Sequence, residues 1–131
     1  METDNTQNEI KDVLLVEDDQ VLREMYAVAL IHAGLNISMA ENGAQGIAMA
    51  LKHKPKLVLF DIEMPTMSGH EAAQKLREDE WGKNVKIIFL TNRAEPQHEA
   101  HAGIVNPEDY IVKSRATIQE VVEKVKTALG S

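Results

Sequence analysis

Cysteine is missing from the 131-residue chain, so neither a disulfide frame nor a thiolate metal site is available, and a reducing compartment is permitted. Also missing is any apolar run approaching the roughly 20 residues that span a bilayer. The first dozen residues, METDNTQNEIKD, are polar and lack the apolar core of a secretory signal. Secretion and membrane insertion are therefore disfavoured, and the cytoplasm is the expected compartment. A basic excess is absent too. The formal net charge is −7, which argues against sequence-independent DNA binding through a cationic footprint on phosphates; a nucleic-acid domain, if one exists, lies on another chain. Glycine and proline are few, 7 and 4, while 44% of residues are hydrophobic and 27% charged, a globular composition rather than a disordered one. A chain of this length fits one domain that buries roughly two thirds of its unfolded surface. No internal repeat, low-complexity tract or linker is present.

Five apolar, β-branched-rich runs recur: DVLLVED, LNISMAE, LVLFD, VKIIFL and DYIVK. A helix-length segment fits between each pair, which predicts a (βα)5 alternation. Runs one, three and four are apolar almost throughout, as parallel strands covered on both faces are. After the first run, Val21, Leu22, Met25, Ala29 and Ile31 or Ala33 give the broad apolar face of a helix predicted over about 20–33, with Gly34 as a left-handed stop. Asn42 with Gln45, Ser68 with Glu71 and Thr117 with Glu120 fit capping boxes at three helix starts. In the last helix, Ile118, Val121, Val122, Val125 and Leu129 form a stripe predicted to pack near strands one and five, ending at Gly130. Between strands four and five, NRAEPQHEAHAGIVNPE has only a faint helical pattern. Pro96, Gly103 and Pro107 limit any helix there to two or three turns, and this is expected to be the most mobile segment.

In a doubly wound α/β sheet, ligands bind outside the carboxyl ends of the strands. Asp61 ends strand three; Glu17, Asp18 and Asp19 end strand one; Thr91 follows strand four and Lys113 ends strand five. All project onto one edge of the sheet. Two carboxylates about 4 Å apart repel by roughly 4 kcal/mol at an effective dielectric near 20, so the cluster needs a cation. Oxygen ligands with open positions suit Mg²⁺, and Lys113 supplies a second compensating charge. Singly, Asp18 or Asp19 reads as an N-cap and Lys113 as a solvated strand end. Acid, acid, hydroxyl and ammonium on four separate strand ends is hard to obtain from surface chemistry alone.

With these blocks in order, LLVEDD, LVLFDIEMPTMSGHE, IIFLTN and EDYIVKS, the chain resembles the receiver domain of two-component response regulators. The spacings agree, 30 residues from Asp61 to Thr91 and 22 from Thr91 to Lys113. The resemblance implies a CheY-like, flavodoxin-like α/β fold: a five-stranded parallel sheet in the order 2-1-3-4-5, with residues 1–11 as a disordered tail and 12–129 as the domain. It implies that Asp61 accepts a phosphoryl group from a phosphohistidine of a histidine kinase or histidine phosphotransfer protein. Asp18 and Asp61 would bind Mg²⁺ directly, Glu17 through a water, and Glu63 through its backbone carbonyl. Thr91 and Lys113 would hold the phosphoryl oxygens, and Thr91 with Tyr110 would form the switch. The output face would join the fourth helical segment, the fifth strand and the last helix to a downstream protein effector. Docking of the phosphoryl donor would use the first helix and the loops around Asp61. Pro65 and Gly69 match the turn that follows the acceptor. The implied protein is a signalling domain rather than an enzyme, with self-phosphotransfer and autodephosphorylation only, and a monomer or weak phosphorylation-dependent dimer.

Departures from the family pattern are specific. Ser114 follows Lys113 where the family has proline, and a cis bond to a non-proline residue costs about 2.5–4 kcal/mol, so a trans peptide is the expectation. Asn92 replaces a small residue and narrows access to Asp61; Glu63 adds a carboxylate beside the phosphate path. His98 and His101 read as a solvated loop pair, Met64 and Met67 as core or lip packing, and Trp81 as a cap on the third helix. Two other classes share parts of this pattern. A haloacid-dehalogenase-like phosphatase would carry its nucleophile in the first strand and its acidic pair last, the reverse of this chain. A pseudo-receiver adaptor would keep the fold and never be phosphorylated.

Overall fold

The structure, a computed structural model, describes residues 11–93 and 109–130. Their elements follow the expected alternation: β1 (Val13–Val16), α1 (Gln20–His32), β2 (Ile37–Ala40), α2 (Gly43–His53), β3 (Leu57–Asp61), α3 (Gly69–Arg77), β4 (Lys86–Thr91), β5 (Tyr110–Val112), a 3₁₀ turn (Lys113–Arg115) and α4 (Ile118–Leu129). The weak segment before β5, with Pro96, His98, His101, Gly103 and Pro107, lies outside the described residues, as does the polar stretch 1–10. Lys11 is described, and its carbonyl accepts from Lys56 N at 3.3 Å.

All strands are parallel, in the order β2-β1-β3-β4-β5. β1 and β3 are buried at every position, and β4 at all but its first. Two apolar layers sandwich the sheet. Leu14, Val16, Val58, Phe60, Ile87 and Phe89 face α2 and α3, while Val13, Leu15, Leu57, Leu59, Ile88 and Leu90 face α1 and α4. This is why the three central strands read as unbroken hydrophobic runs: successive side chains enter opposite covered layers. Met64 belongs to the first layer, with Met67 and Trp81 packed against it. α4 buries Val121, Val122 and Val125 in the second and stops at Gly130 in the left-handed conformation.

α1 spans the expected residues, but only part of its expected apolar face turns inward, with Leu22, Ala29 and Ala33 packed against the second layer. It buries Tyr26, Ala27 and Leu30, while Val21, Met25, Val28 and Ile31 are 44–66% exposed. The helix is apolar on two sides, and periodicity alone does not say which side meets the sheet. Ser68 and Thr117 head complete capping boxes. Asn42 caps α2, but Gln45 reaches back to the amide of Glu41 instead of Asn42, so that box is displaced by one residue.

The turn from β3 to α3 brings backbones into contact. Gly69 N donates to Ile62 O at 2.9 Å, and a Cβ built on Gly69 would lie 2.3 Å from the Asp61 carbonyl oxygen. Only glycine lets α3 start there. Gly69→Ala is expected to destabilise the protein by about 2 kcal/mol or more, read as a lower urea midpoint with the slope unchanged.

Candidate functional site

The parallel sheet ends all its strands at one edge, and there the predicted acids converge. Glu17, one residue past β1, is 1% exposed, and Asp61, the last residue of β3, is also 1% exposed. Asp18 is exposed at the rim. Oxygens of Glu17, Asp18 and Asp61 all lie within 4.8 Å of one another. Asp19 stays out of the cluster, since its side chain accepts from Leu22 N at 3.0 Å and caps α1. Arg23, one turn into that helix, donates to the Glu17 carbonyl at 2.8 Å and fixes the approach of the acidic pair.

Lys113 enters from the end of β5. Its Nζ lies 3.0 Å from Glu17 Oε1 and 3.0 Å from Asp61 Oδ1. With Glu17 it makes a hydrogen bond; toward Asp61 the attraction is one of charge, since buried Oδ1 has no hydrogen-bond partner among the described residues. The Lys113–Ser114 peptide is trans, as is every peptide among the described residues, and the lysine is nonetheless aimed into the cluster. Burial pulls its ammonium down, but the charges of Asp61 and Glu17 and its hydrogen bonds outweigh that, leaving its pKa raised. Burial pushes the Asp61 carboxyl up to about 8, with the Glu17 charge adding to the rise and Lys113 opposing it.

These donors fit Mg²⁺. They are all oxygens, one of them is a buried orphan, and Asp18 leaves an open side on which waters would complete an octahedron. One ammonium does not neutralise the acids, and the Glu17 charge adds to the rise that burial imposes on Asp61.

Thr91, the last residue of β4, is 1% exposed and stands at the same edge, one position beyond the register pair Asp61–Leu90. Its hydroxyl donates to Glu63 Oε2 at 2.6 Å and accepts from Arg93 N at 3.1 Å. Asn92 N donates to Glu63 Oε1 at 2.8 Å. Glu63 thus enters the site through the side chain expected beside the phosphate path, and the sequence did not disclose that its partners are Thr91 and Asn92.

Tyr110 begins β5 and is half-buried. Its ring lies 5.2 Å from that of Phe89, and its hydroxyl is 3.1 Å from His70 Nε2. Sequence reading missed His70, whose only signal is its place in the first turn of α3, and Tyr26. Tyr26 is buried on α1; burial raises its pKa, and the charges of Lys113, Glu17 and Asp61 all reach it. Asp109, 5% exposed, anchors the start of β5 through Lys86 Nζ at 3.0 Å.

A family profile described as response regulator receiver domain matches residues 13–126. Among curated proteins, the phosphate regulon transcriptional regulatory protein PhoB of Pseudomonas aeruginosa is 38% identical over 119 residues, which are 91% of this chain and 52% of that protein. The polar-differentiation response regulator DivK of Brucella anthropi is 28% identical over 92% of this chain and 97% of its own length. The chain spans about half the length of the first curated relatives it matches. Among solved structures, response regulator protein TrrA of Thermotoga maritima in complex with Mg(2+)-BeF superposes with a TM-score of 0.78 at 34% identity, covering 90% of this chain and 98% of that one. Chemotaxis protein CheY4 of Vibrio cholerae, 24% identical, shares the fold with a TM-score of 0.81 over 92% of this chain and 99% of its own. Among the described residues no helix is long and apolar enough to cross a membrane.

Between about pH 4 and pH 8 the metal-free folded protein binds more protons at Asp61 than the unfolded chain does. The contribution of Asp61 to stability therefore falls as pH rises through that window. Asp61→Asn removes the liability: in chelator at pH 8 it is expected to be more stable than the wild type by about 1–3 kcal/mol, and Mg²⁺ should narrow the gap. Urea unfolding at pH 5 and pH 8, with and without Mg²⁺, checks this.

Proposed function

Because the chain belongs to the response regulator receiver family, over residues 13–126, we propose that Asp61 accepts a phosphoryl group from a phosphohistidine in a Mg²⁺-dependent reaction. The domain is a receiver module of two-component signalling. The observation that carries the reading is the convergence of Glu17, Asp18 and Asp61 within 4.8 Å, with the Lys113 ammonium 3.0 Å from two of them.

Glu17, Asp18, Asp61 and the backbone carbonyl of Glu63 would hold the ion, Glu17 through a water. When bound, Mg²⁺ supplies the positive charge that lets Asp61 ionise and that offsets charge on the transferring oxygens. A carboxylate oxygen of Asp61 attacks the phosphorus in line. The P–N bond to the donor imidazole breaks, and its electron pair returns to the ring nitrogen, so no proton need leave Asp61 in the step. Lys113, kept an ammonium by its neighbours, neutralises an equatorial oxygen. The product is an acyl phosphate, a labile anhydride whose hydrolysis ends the signal.

Thr91 and Tyr110 carry the response in this reading. Thr91 turns toward a phosphoryl oxygen, and Tyr110, already in contact with Phe89 and His70, turns with it. A downstream protein effector would then read the face made by the segment before β5, β5 itself and α4. The exposed Val21, Met25 and Val28 of α1 line a groove of about 570 Å³ with Ile118 of α4, and this supports donor docking on α1. We place residues 12–129 in the domain and residues 1–11 outside it.

Acetyl phosphate with Mg²⁺ is expected to add about 80 Da, one phosphoryl group, to the wild type and nothing to Asp61→Asn, by intact mass. Lys113→Ala should slow the gain about tenfold or more. An unchanged wild-type mass would favour the pseudo-receiver adaptor. Thr91→Ala should leave Mg²⁺ affinity nearly intact while weakening the response of the Tyr110 ring, followed by its NMR resonances.

A further inference from the structure

The hydroxyl of Thr91 has one proton to give, and Glu63 has it. The 2.6 Å contact to Glu63 Oε2 is short, in the range of a hydroxyl bound to a carboxylate. Arg93 N occupies a lone pair of the same hydroxyl at 3.1 Å, which leaves the proton directed to Glu63. The other Glu63 oxygen takes the Asn92 amide at 2.8 Å. One carboxylate therefore bridges a side-chain donor and a backbone donor at the end of β4. Those donors follow Leu90, the register partner of Asp61, so they stand at the same edge of the sheet as the acceptor residue.

We propose that Glu63 is an internal stand-in for the phosphoryl group: in the resting protein it holds the Thr91 hydroxyl and the Asn92 amide, and it must release both before an oxyanion on Asp61 can use them. The inference rests on the reading of Asp61 as the acceptor. A hydroxyl proton cannot serve a carboxylate and a phosphoryl oxygen together, and two anions sharing these donors repel. Glu63 is only partly buried, so on release its carboxylate returns to water. The exchange is a latch that slows uptake and keeps Thr91 in its resting position, rather than a block. Glu63 is thus a positioning residue that acts through Thr91 and Asn92.

The test compares the wild type with Glu63→Asp, Glu63→Gln and Glu63→Ala, using acetyl phosphate and Mg²⁺ and following intact mass with time. Asp keeps the charge but is one methylene too short to span both donors; Gln keeps the length without the charge. Asp and Ala are expected to take up phosphoryl about threefold faster or more, the effect of a partly exposed charge-assisted hydrogen bond, with Gln in between. The Asn92 amide proton resonance should shift upfield in Asp and Ala relative to the wild type, a readout that general electrostatics near the site would not give. Rates at or below wild type in both Asp and Ala would overturn the latch. So would faster rates in Ala and Gln with Asp unchanged, which would mark a pure charge effect, or faster rates with the Asn92 amide unmoved. A wild type and variants that all fail to gain mass would instead sink the acceptor reading itself.

Discussion

Everything at the carboxyl edge of the sheet depends on two buried carboxylates, Glu17 and Asp61, sharing one ammonium. Each is 1% exposed, and Lys113 Nζ stands 3.0 Å from both. Burying like charges this closely is unfavourable unless an opposite charge is fixed between them, so the fold must deliver Lys113 to one spot from the far edge of the sheet. The parallel topology does this, because every strand ends at the same edge and β5, paired with β4, hands the chain at that edge to the 3₁₀ turn that begins with Lys113. The remaining devices at the edge hold this arrangement still. Asp19 caps α1, Arg23 ties down the Glu17 carbonyl, and Asp109 with Lys86 fixes where β5 begins.

The turn after Asp61 combines rigidity with strain. Gly69 presses against the Asp61 carbonyl, so α3 starts directly on the last peptide of β3. Between them Thr66 sits at φ 73°, in the left-handed region that a β-branched residue rarely adopts. A turn held this way on both sides keeps Ile62 and Met64 in the core and sends Glu63 between them to the donors of β4.

Most of the frame was legible in the sequence because its signals are local. Strands covered on both faces leave continuous apolar runs, and Ser68, Thr117 and Gly130 announce helix ends within a few residues. Glu17, Asp18, Asp61, Thr91 and Lys113 were found because each closes such a run. What stayed hidden depends on tertiary choice. α1 has two apolar sides, and only packing against Leu15 and Leu59 selects Tyr26, Ala27 and Leu30 as the inward one. The Glu63 contacts span 28 and 29 residues, and the His70–Tyr110 contact spans 40; no local pattern carries pairings of that kind.

The sharing of donors also explains why one acid among four stands out. Glu17 has the Lys113 ammonium and the Asp19 amide, at 3.0 and 3.2 Å. Glu63 has Thr91 and Asn92, and Asp18 is open to water. Asp61 is left with an attraction to Lys113, a buried Oδ1 that receives no hydrogen bond from the described residues, and a carboxyl pushed up to about 8 by burial and by Glu17. Its deficit is local, since neighbouring donors on the same edge are already engaged elsewhere. A cation or a bound electrophile relieves Asp61 more than any other acid here, because the other three already have their hydrogen bonds or their water. Uneven satisfaction, rather than the number of acids, is what sets this one oxygen apart from the others.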